Sequence, residues 1–75
     1  MRPLSQVKQN EQVLIKEINC PNPLKRHMMD MGLTQGTYVK VKKVAPLGDP
    51  MELFLRGYSL TIRKQDAKQI LVDER

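Results

Sequence analysis

The feature that most constrains this chain is that its 75 residues include a single cysteine, Cys20. A chain this short has room for one hydrophobic core, and a lone thiol cannot form an internal disulfide. Core packing must therefore supply the stability. The hydrophobic fraction of 40% is ordinary for a folded protein, and no apolar run approaches the roughly 20 residues that span a bilayer. We expect one soluble domain over residues 1–75, with its core in residues 4–72 and a charged tail at 73–75.

The first six residues have a positive charge but no apolar segment behind it, so the pattern of a secretory signal is missing. The single thiol suits a reducing compartment. These two features predict a cytoplasmic protein that is not embedded in the membrane.

Short runs of alternating apolar residues predict a β-rich fold. Residues 12–18 read as a first strand, and Val39 and Val41 alternate with lysines in a second. Lys42 and Lys43 shift the apolar face by one residue, which indicates a β-bulge. Further along, the pattern predicts a hairpin over residues 53–62 with a turn at Gly57, a helical turn at 65–67 and a last strand at 70–72.

One helix is predicted between the first and second strands, from Pro23 to Met31. Asn22 is expected to cap its first turn, with Pro23 at the first helical position. The apolar stripe consists of Leu24, Met28 and Met31. Gly32 is expected to end the helix in a left-handed conformation, so that Leu33 folds back on the last turn.

About five short strands and one helix leave few arrangements for so small a chain. A sheet of this size buries its apolar face and limits its exposed edges by closing on itself. The fold class predicted is therefore mainly β, a small β-barrel with one short helix inserted between its first and second strands.

Four segments resemble the FeoA family in order and spacing: Arg26-His27-Met28-Met29-Asp30-Met31-Gly32-Leu33, Gln35-Gly36, Ala45-Pro46-Leu47-Gly48-Asp49-Pro50 and Leu60-Thr61-Ile62-Arg63-Lys64. The resemblance covers residues 4–72, and the Ala-Pro-Leu-Gly-Asp-Pro loop is its most specific part. The helix departs from the family in having methionine where leucine is more frequent, which affects packing.

This resemblance implies an SH3-like barrel that docks to and modulates FeoB, a membrane ferrous-iron transporter with a cytosolic G-domain. Fe(II) is then the cargo of the transporter, no cofactor is tightly bound to this chain, and weak transition-metal binding is compatible with the family. A related domain occurs in metal-dependent repressors, so a transition-metal-binding regulatory domain is one alternative. No DNA-binding domain is recognised in the sequence, which favours the stand-alone form. Binding to its partner would place the chain at the inner face of the membrane.

The docking surface is predicted at the proline-restrained loop with one exposed helix residue, because a rigid loop loses little entropy on binding. Its members are Met29, Ala45, Pro46, Leu47, Gly48, Asp49 and Pro50. In the competing interpretation Leu47 packs into the barrel and the loop only closes it.

No metal site is firmly predicted. A soft-metal cluster of Cys20, His27, Met28, Met29 and Met31 has suitable ligand atoms, but methionines at helical spacing are more often part of a core. His27, Asp49 and Glu52 are the candidates for a divalent cation, although an aspartate before proline also suits an ordinary turn.

Catalysis is not expected, since the chain has one histidine, one cysteine and no phosphate-binding glycine loop. The basic residues form the remaining candidate surface: Lys40, Lys42, Lys43, Arg56, Arg63 and Lys64. The formal charge is +4 over residues 37–64, compared with +2 before and −1 after them. A basic nucleic-acid-binding barrel is therefore the second alternative, weakened by the presence of only three aromatic residues on which bases could stack.

Overall fold

Six antiparallel strands form one sheet in the computed structural model, which describes residues 1–74. The strands are β1 (Arg2–Pro3), β2 (Gln12–Ile18), β3 (Tyr38–Val44), β4 (Met51–Leu55), β5 (Tyr58–Ile62) and β6 (Ile70–Glu74), in the spatial order β1-β6-β2-β3-β4-β5. Helix α1 (Asn22–Asp30) lies between β2 and β3, and the single turn α2 (Lys64–Ala67) precedes β6. Two 3-10 turns cover Leu4–Gln6 and Pro46–Gly48.

The predicted mainly β fold is confirmed, with the helix between the two strands that the sequence places first. The difference is a sixth strand, β1, which pairs with β6. Two residues are too few to show any periodicity, so nothing in the sequence distinguishes β1 from a loop.

The inward residues of the strands meet in one core. Val13 and Ile15 from β2, Val39 and Val41 from β3, Leu53 and Leu55 from β4, and Ile70 and Val72 from β6 are all buried. Burying each such side chain contributes roughly 1.5–3 kcal/mol, which is how a chain without disulfides holds its shape.

The phase shift at Lys42-Lys43 is the predicted β-bulge. The β3–β4 register runs from Val41 opposite Leu53 to Lys43 opposite Glu52, which leaves Lys42 without a register partner. Both lysines are exposed. The bulge lets two consecutive polar residues face water without moving either valine out of the core.

Helix α1 begins one residue earlier than predicted, and the expected Asn22 cap is wrong. Asn22 is the first helical residue, it follows Pro21, and no side chain caps the helix. Instead the Lys25 amide donates to the Pro21 carbonyl at 2.9 Å. Pro23 thus occupies the second helical position, where its missing N–H costs no intrahelical hydrogen bond.

Helix α1 ends at Asp30, one residue before the predicted Met31, and Gly32 terminates it in the predicted left-handed conformation. Gly32 has a φ of 93°, its amide donates to the Met29 carbonyl at 3.0 Å, and the Leu33 amide donates to the Met28 carbonyl at 2.9 Å. This paired arrangement is the Schellman motif. It places Leu33 in the core beside Met28, both of them buried.

The tail predicted at residues 73–75 is wrong for Asp73 and Glu74, which belong to β6, and Arg75 lies outside the described residues. The Arg2 guanidinium lies 2.8 Å from carboxylate oxygens of both Glu11 and Glu74. The hydrogen bond from Arg2, with a second from the Lys8 amide, holds the pKa of Glu11 below its ordinary value. These contacts tie β1 to its neighbours.

Among residues 1–74, no helix has the length and apolar character needed to cross a membrane.

Candidate docking site

The loop of residues 45–50 connects β3 to β4 and is closed at its base by backbone hydrogen bonds. The Ala45 amide donates to the Pro50 carbonyl at 3.1 Å, and the Gly48 amide donates to the Ala45 carbonyl at 2.8 Å. With two prolines also restricting the backbone, the loop keeps one shape without burying any of its side chains.

Leu47 forms the tip of this loop and is 93% exposed, the highest value among the large apolar residues of the described chain. Its φ of 68° is in the left-handed region, which leucine rarely adopts. The interpretation in which Leu47 packs into the barrel is therefore wrong. The loop instead holds an apolar side chain out in water.

A hydrogen bond attaches the loop to the start of α2. Asp49 Oδ1 accepts from the Lys64 amide at 3.2 Å, an amide in the first turn of α2 that has no partner within that helix. The Lys64 side chain runs alongside Gly48, 3.7 Å from where a Cβ would stand. Asp49 thus fixes the loop against the rest of the molecule.

A cleft of about 460 Å³ lies beside the loop. One wall is formed by Leu24 and His27 of α1 and by Met31 just after the helix, and the opposite wall includes Ile62 and Arg63. Asp49, Pro50 and Asp66 also line it. The loop and this face of α1 together form a continuous surface that consists of an exposed apolar tip and a partly apolar cleft.

Met29 is not part of that surface. It is 48% exposed, but it lines two other clefts, one with Met1, Lys16 and Gln35 and one with Pro23 and Arg26. Because Met29 lies two residues after His27 on a helix, the two side chains point to different flanks. Of these two residues, only His27 is among those that line the cleft beside the loop.

Met29 lies apart from the other soft-metal candidates. Met28 is buried in the core, with its Sδ 3.9 Å from Cys20 Sγ, and it lines the cleft together with His27 and Met31. Because Cys20 and Met31 also pack against the core, these sulfur atoms serve packing.

The divalent-cation candidates are also separated. His27 and Asp49 line the same cleft, but Glu52 lies on the sheet, where its carboxylate is 3.7 Å from Lys42 Nζ. Within the part of the chain that the structure describes, no group of three histidine, cysteine or acidic residues is arranged to hold a metal.

The basic residues divide into two groups instead of one stripe. Arg63 lines the cleft and Lys64 flanks the loop, while Lys40, Lys42 and Lys43 lie on β3 and Arg56 lies in the β4–β5 turn. The sequence alone does not show this division, because it depends on how the sheet curls.

Two polar contacts beside β3 are not predicted from the sequence. Thr37 is buried, its hydroxyl lies 2.8 Å from that of Thr34, and Arg56 donates to it at 3.1 Å. The turn residue Arg56 is thereby fixed in place. Thr34 and Thr37 belong to one turn, but Arg56 reaches Thr37 only through the pairing of β3 with β4, which no local pattern signals.

The model of the FeoA domain family matches residues 2–74. Among solved structures, the FeoA-like protein of Clostridium acetobutylicum is 41% identical, with a TM-score of 0.87 over 97% of this chain and 85% of that one. The FeoA of Stenotrophomonas maltophilia, described as an SH3 domain protein in complex with zinc, shares the fold at 18% identity, with a TM-score of 0.83 over 97% of this chain and 91% of that one.

A relative of a different kind is the Fe(2+) transport protein A/Fe(2+) transporter FeoB fusion protein of Porphyromonas gingivalis. It is 27% identical over 70 residues, which are 93% of this chain and 8% of the fusion protein. The chain thus spans a small part of that relative's length. The domain and the transporter are joined there in a single polypeptide.

Proposed function

Since the chain belongs to the FeoA domain family, which is linked to ferrous iron transport, we propose that it is an accessory protein that docks to a FeoB-type transporter and modulates it. The docking surface in this proposal is the loop of residues 45–50 with the adjoining cleft. Fe(II) is the cargo of the transporter, and the chain acts at the cytoplasmic face of the membrane.

The observation that carries the proposal is Leu47. A leucine that is 93% exposed, in a left-handed backbone conformation, contributes nothing to the core. Strained, exposed residues are typical of binding surfaces, where a partner supplies the burial that the free molecule lacks. The closed loop also limits the entropy lost on docking.

The partner is taken from the fusion protein of Porphyromonas gingivalis. Joining a small domain to a transporter raises their effective concentration, which is useful where the two act on each other. We infer the same association for the present chain through a non-covalent interface.

The proposed role is non-catalytic and needs no tightly held cofactor. The FeoA of Stenotrophomonas maltophilia is described in complex with zinc, and His27 and Asp49 share one cleft here. We therefore propose at most weak transition-metal binding at the cleft, because its lining residues His27, Asp49 and Asp66 are not arranged to hold a metal together.

The test is binding to the full-length FeoB-type transporter of the same genome, held in nanodiscs of zwitterionic lipid. Replacing Leu47→Asn removes the apolar tip while keeping a residue that tolerates a positive φ. We expect dissociation constants about tenfold higher than for the wild type, which corresponds to about 1.4 kcal/mol.

The matched control is Met29→Asn, which removes an exposed methionine on the other flank of α1. It should change the dissociation constant less than twofold. Absence of wild-type binding, or equal binding by the Leu47→Asn variant, would contradict the proposal.

A further inference from the structure

A second surface lies at the end of the β3–β4 hairpin opposite the loop. Tyr38 and Phe54 point outward there and are 51% and 41% exposed. Lys40 lies directly opposite Phe54 in the register, and Tyr38 is two residues before Lys40 on the same face. Tyr38 and Phe54 are thus diagonal neighbours, about 7–8 Å apart in an antiparallel pair.

This surface, the aromatic–basic face, surrounds a shallow hollow of about 490 Å³. Its lining includes Gln12, Thr37, Tyr38, Lys40, Phe54 and Arg56, and no carboxylate is among the lining residues that the structure describes. Two aromatic rings and two cationic side chains therefore lie together, with no carboxylate among the described residues that line the hollow.

The Arg56 side chain is fixed in position on this face by a hydrogen bond. It lies in the β4–β5 turn with a φ of 48°, and one of its guanidinium nitrogens donates to Thr37 Oγ1 at 3.1 Å. A guanidinium has five N–H donors, so most of them remain for a partner. A side chain already fixed in position loses little entropy when it binds an anion.

The neighbouring charges do not neutralise the face. The Glu52 carboxylate lies 3.7 Å from Lys42 Nζ, and Lys42 Nζ stands 6.0 Å from the centre of the Phe54 ring. Within residues 1–74, neither Lys40 nor Arg56 forms an ion pair. Exposed cations beside exposed aromatic rings are well suited to an acidic partner, because charge guides the encounter and the rings supply contact area.

We propose that the aromatic–basic face is a second docking site, which binds an acidic surface of the same transporter. The inference rests on the proposed function for the identity of the partner. Lys40 and Arg56 steer the encounter through charge, while Phe54 and Tyr38 supply the buried contact. The loop and this face would then hold the partner at both ends of one hairpin.

The test measures association rates with the full-length FeoB-type transporter in zwitterionic nanodiscs at low and high salt. Lys40→Glu combined with Arg56→Gln removes three units of positive charge. Lys25→Glu combined with Lys68→Gln removes the same charge from exposed positions elsewhere. We expect the first pair to lower the association rate about tenfold at low salt, the second about twofold, and both differences to shrink at high salt.

Two single variants test the same face without altering the Arg56–Thr37 contact. Lys40→Gln alone should lower the association rate at low salt, and Phe54→Ser should raise the dissociation rate several-fold. Backbone amide spectra establish that each variant is folded.

The outcomes separate the two proposals. If the wild type does not bind the transporter, the proposed function fails and this inference fails with it. If the wild type binds but both charge variants associate equally fast, only the second site is overturned. A ten-nucleotide oligothymidine is the remaining probe: if it binds the wild type and not the Lys40→Glu, Arg56→Gln variant, while transporter association is unchanged, the face is a nucleic-acid site instead.

Discussion

Leu47 combines a left-handed backbone with a side chain in water, two conditions that leucine ordinarily avoids. Since the side chain buries almost nothing and asparagine tolerates a positive φ better than leucine, Leu47→Asn should leave the free energy of unfolding unchanged or raise it by up to about 1 kcal/mol. Urea denaturation measures this. A loss well above 1 kcal/mol would show that Leu47 has a structural role that its exposure does not reveal.

Glu11 is the residue at which stability should depend on pH. The hydrogen bond from Arg2 lowers its pKa in the folded protein below the ordinary value of 4.5. A carboxylate with a depressed folded pKa stabilises the protein above the unfolded pKa, and this contribution disappears as the pH falls through the folded pKa.

The Glu11→Gln variant should therefore be less stable than the wild type at pH 7, and the two should converge as the pH is lowered well below 4.5. Denaturant titrations at a series of pH values follow the convergence. Glu17→Gln, at an exposed strand position, is the matched control and should show no such convergence. A difference in unfolding free energy between the wild type and Glu11→Gln that does not change with pH would contradict a role for the ionised carboxylate.

At the scale of the elements, α1 is held to the barrel chiefly by Met28, which is 1% exposed. Met28→Ala should lower the free energy of unfolding by about 2–5 kcal/mol, because it leaves a cavity in the core. Met29→Ala, one residue along and half-exposed, should change it by less than about 0.5 kcal/mol. Thermal or urea unfolding measures the stability of both variants. Equal losses of unfolding free energy would mean that α1 packs against the sheet through a different helix face.

An element can be predicted from the sequence when the residues that cause it lie within a few positions of one another. The strands, the Lys42-Lys43 bulge and the end of α1 at Gly32 each leave a pattern within a few residues, and each was predicted. Strand β1 forms only because β6 pairs with it, and α1 begins after Pro21 without using the side chain of Asn22. The first feature depends on a contact far along the chain, and the second on Pro21 taking the position before the helix.

At the scale of the whole molecule, the candidate site can be predicted only in part from the sequence. The loop of residues 45–50 was identified from its composition and its resemblance to a family, but whether Leu47 points inward or outward depends on the curl of the sheet. The placement of His27 beside the loop, and of Met29 away from it, likewise follows from how α1 lies on the barrel.

The two proposed surfaces lie at opposite ends of the β3–β4 hairpin. The loop presents an apolar tip, and the aromatic–basic face presents the uncompensated charge of Lys40 and Arg56. A chain of 75 residues with a formal charge of +5 can in this way combine a specific contact with electrostatic steering.

The central claim is that the transporter covers the loop of residues 45–50. Its most direct test is a footprint on the isotope-labelled chain: backbone amide signals are compared before and after adding the full-length FeoB-type transporter in zwitterionic nanodiscs. We predict that the signals of Leu47, Gly48 and Asp49 are among those most strongly broadened or shifted. Changes confined to the Met29 flank of α1, with the loop signals unaltered, would contradict the account.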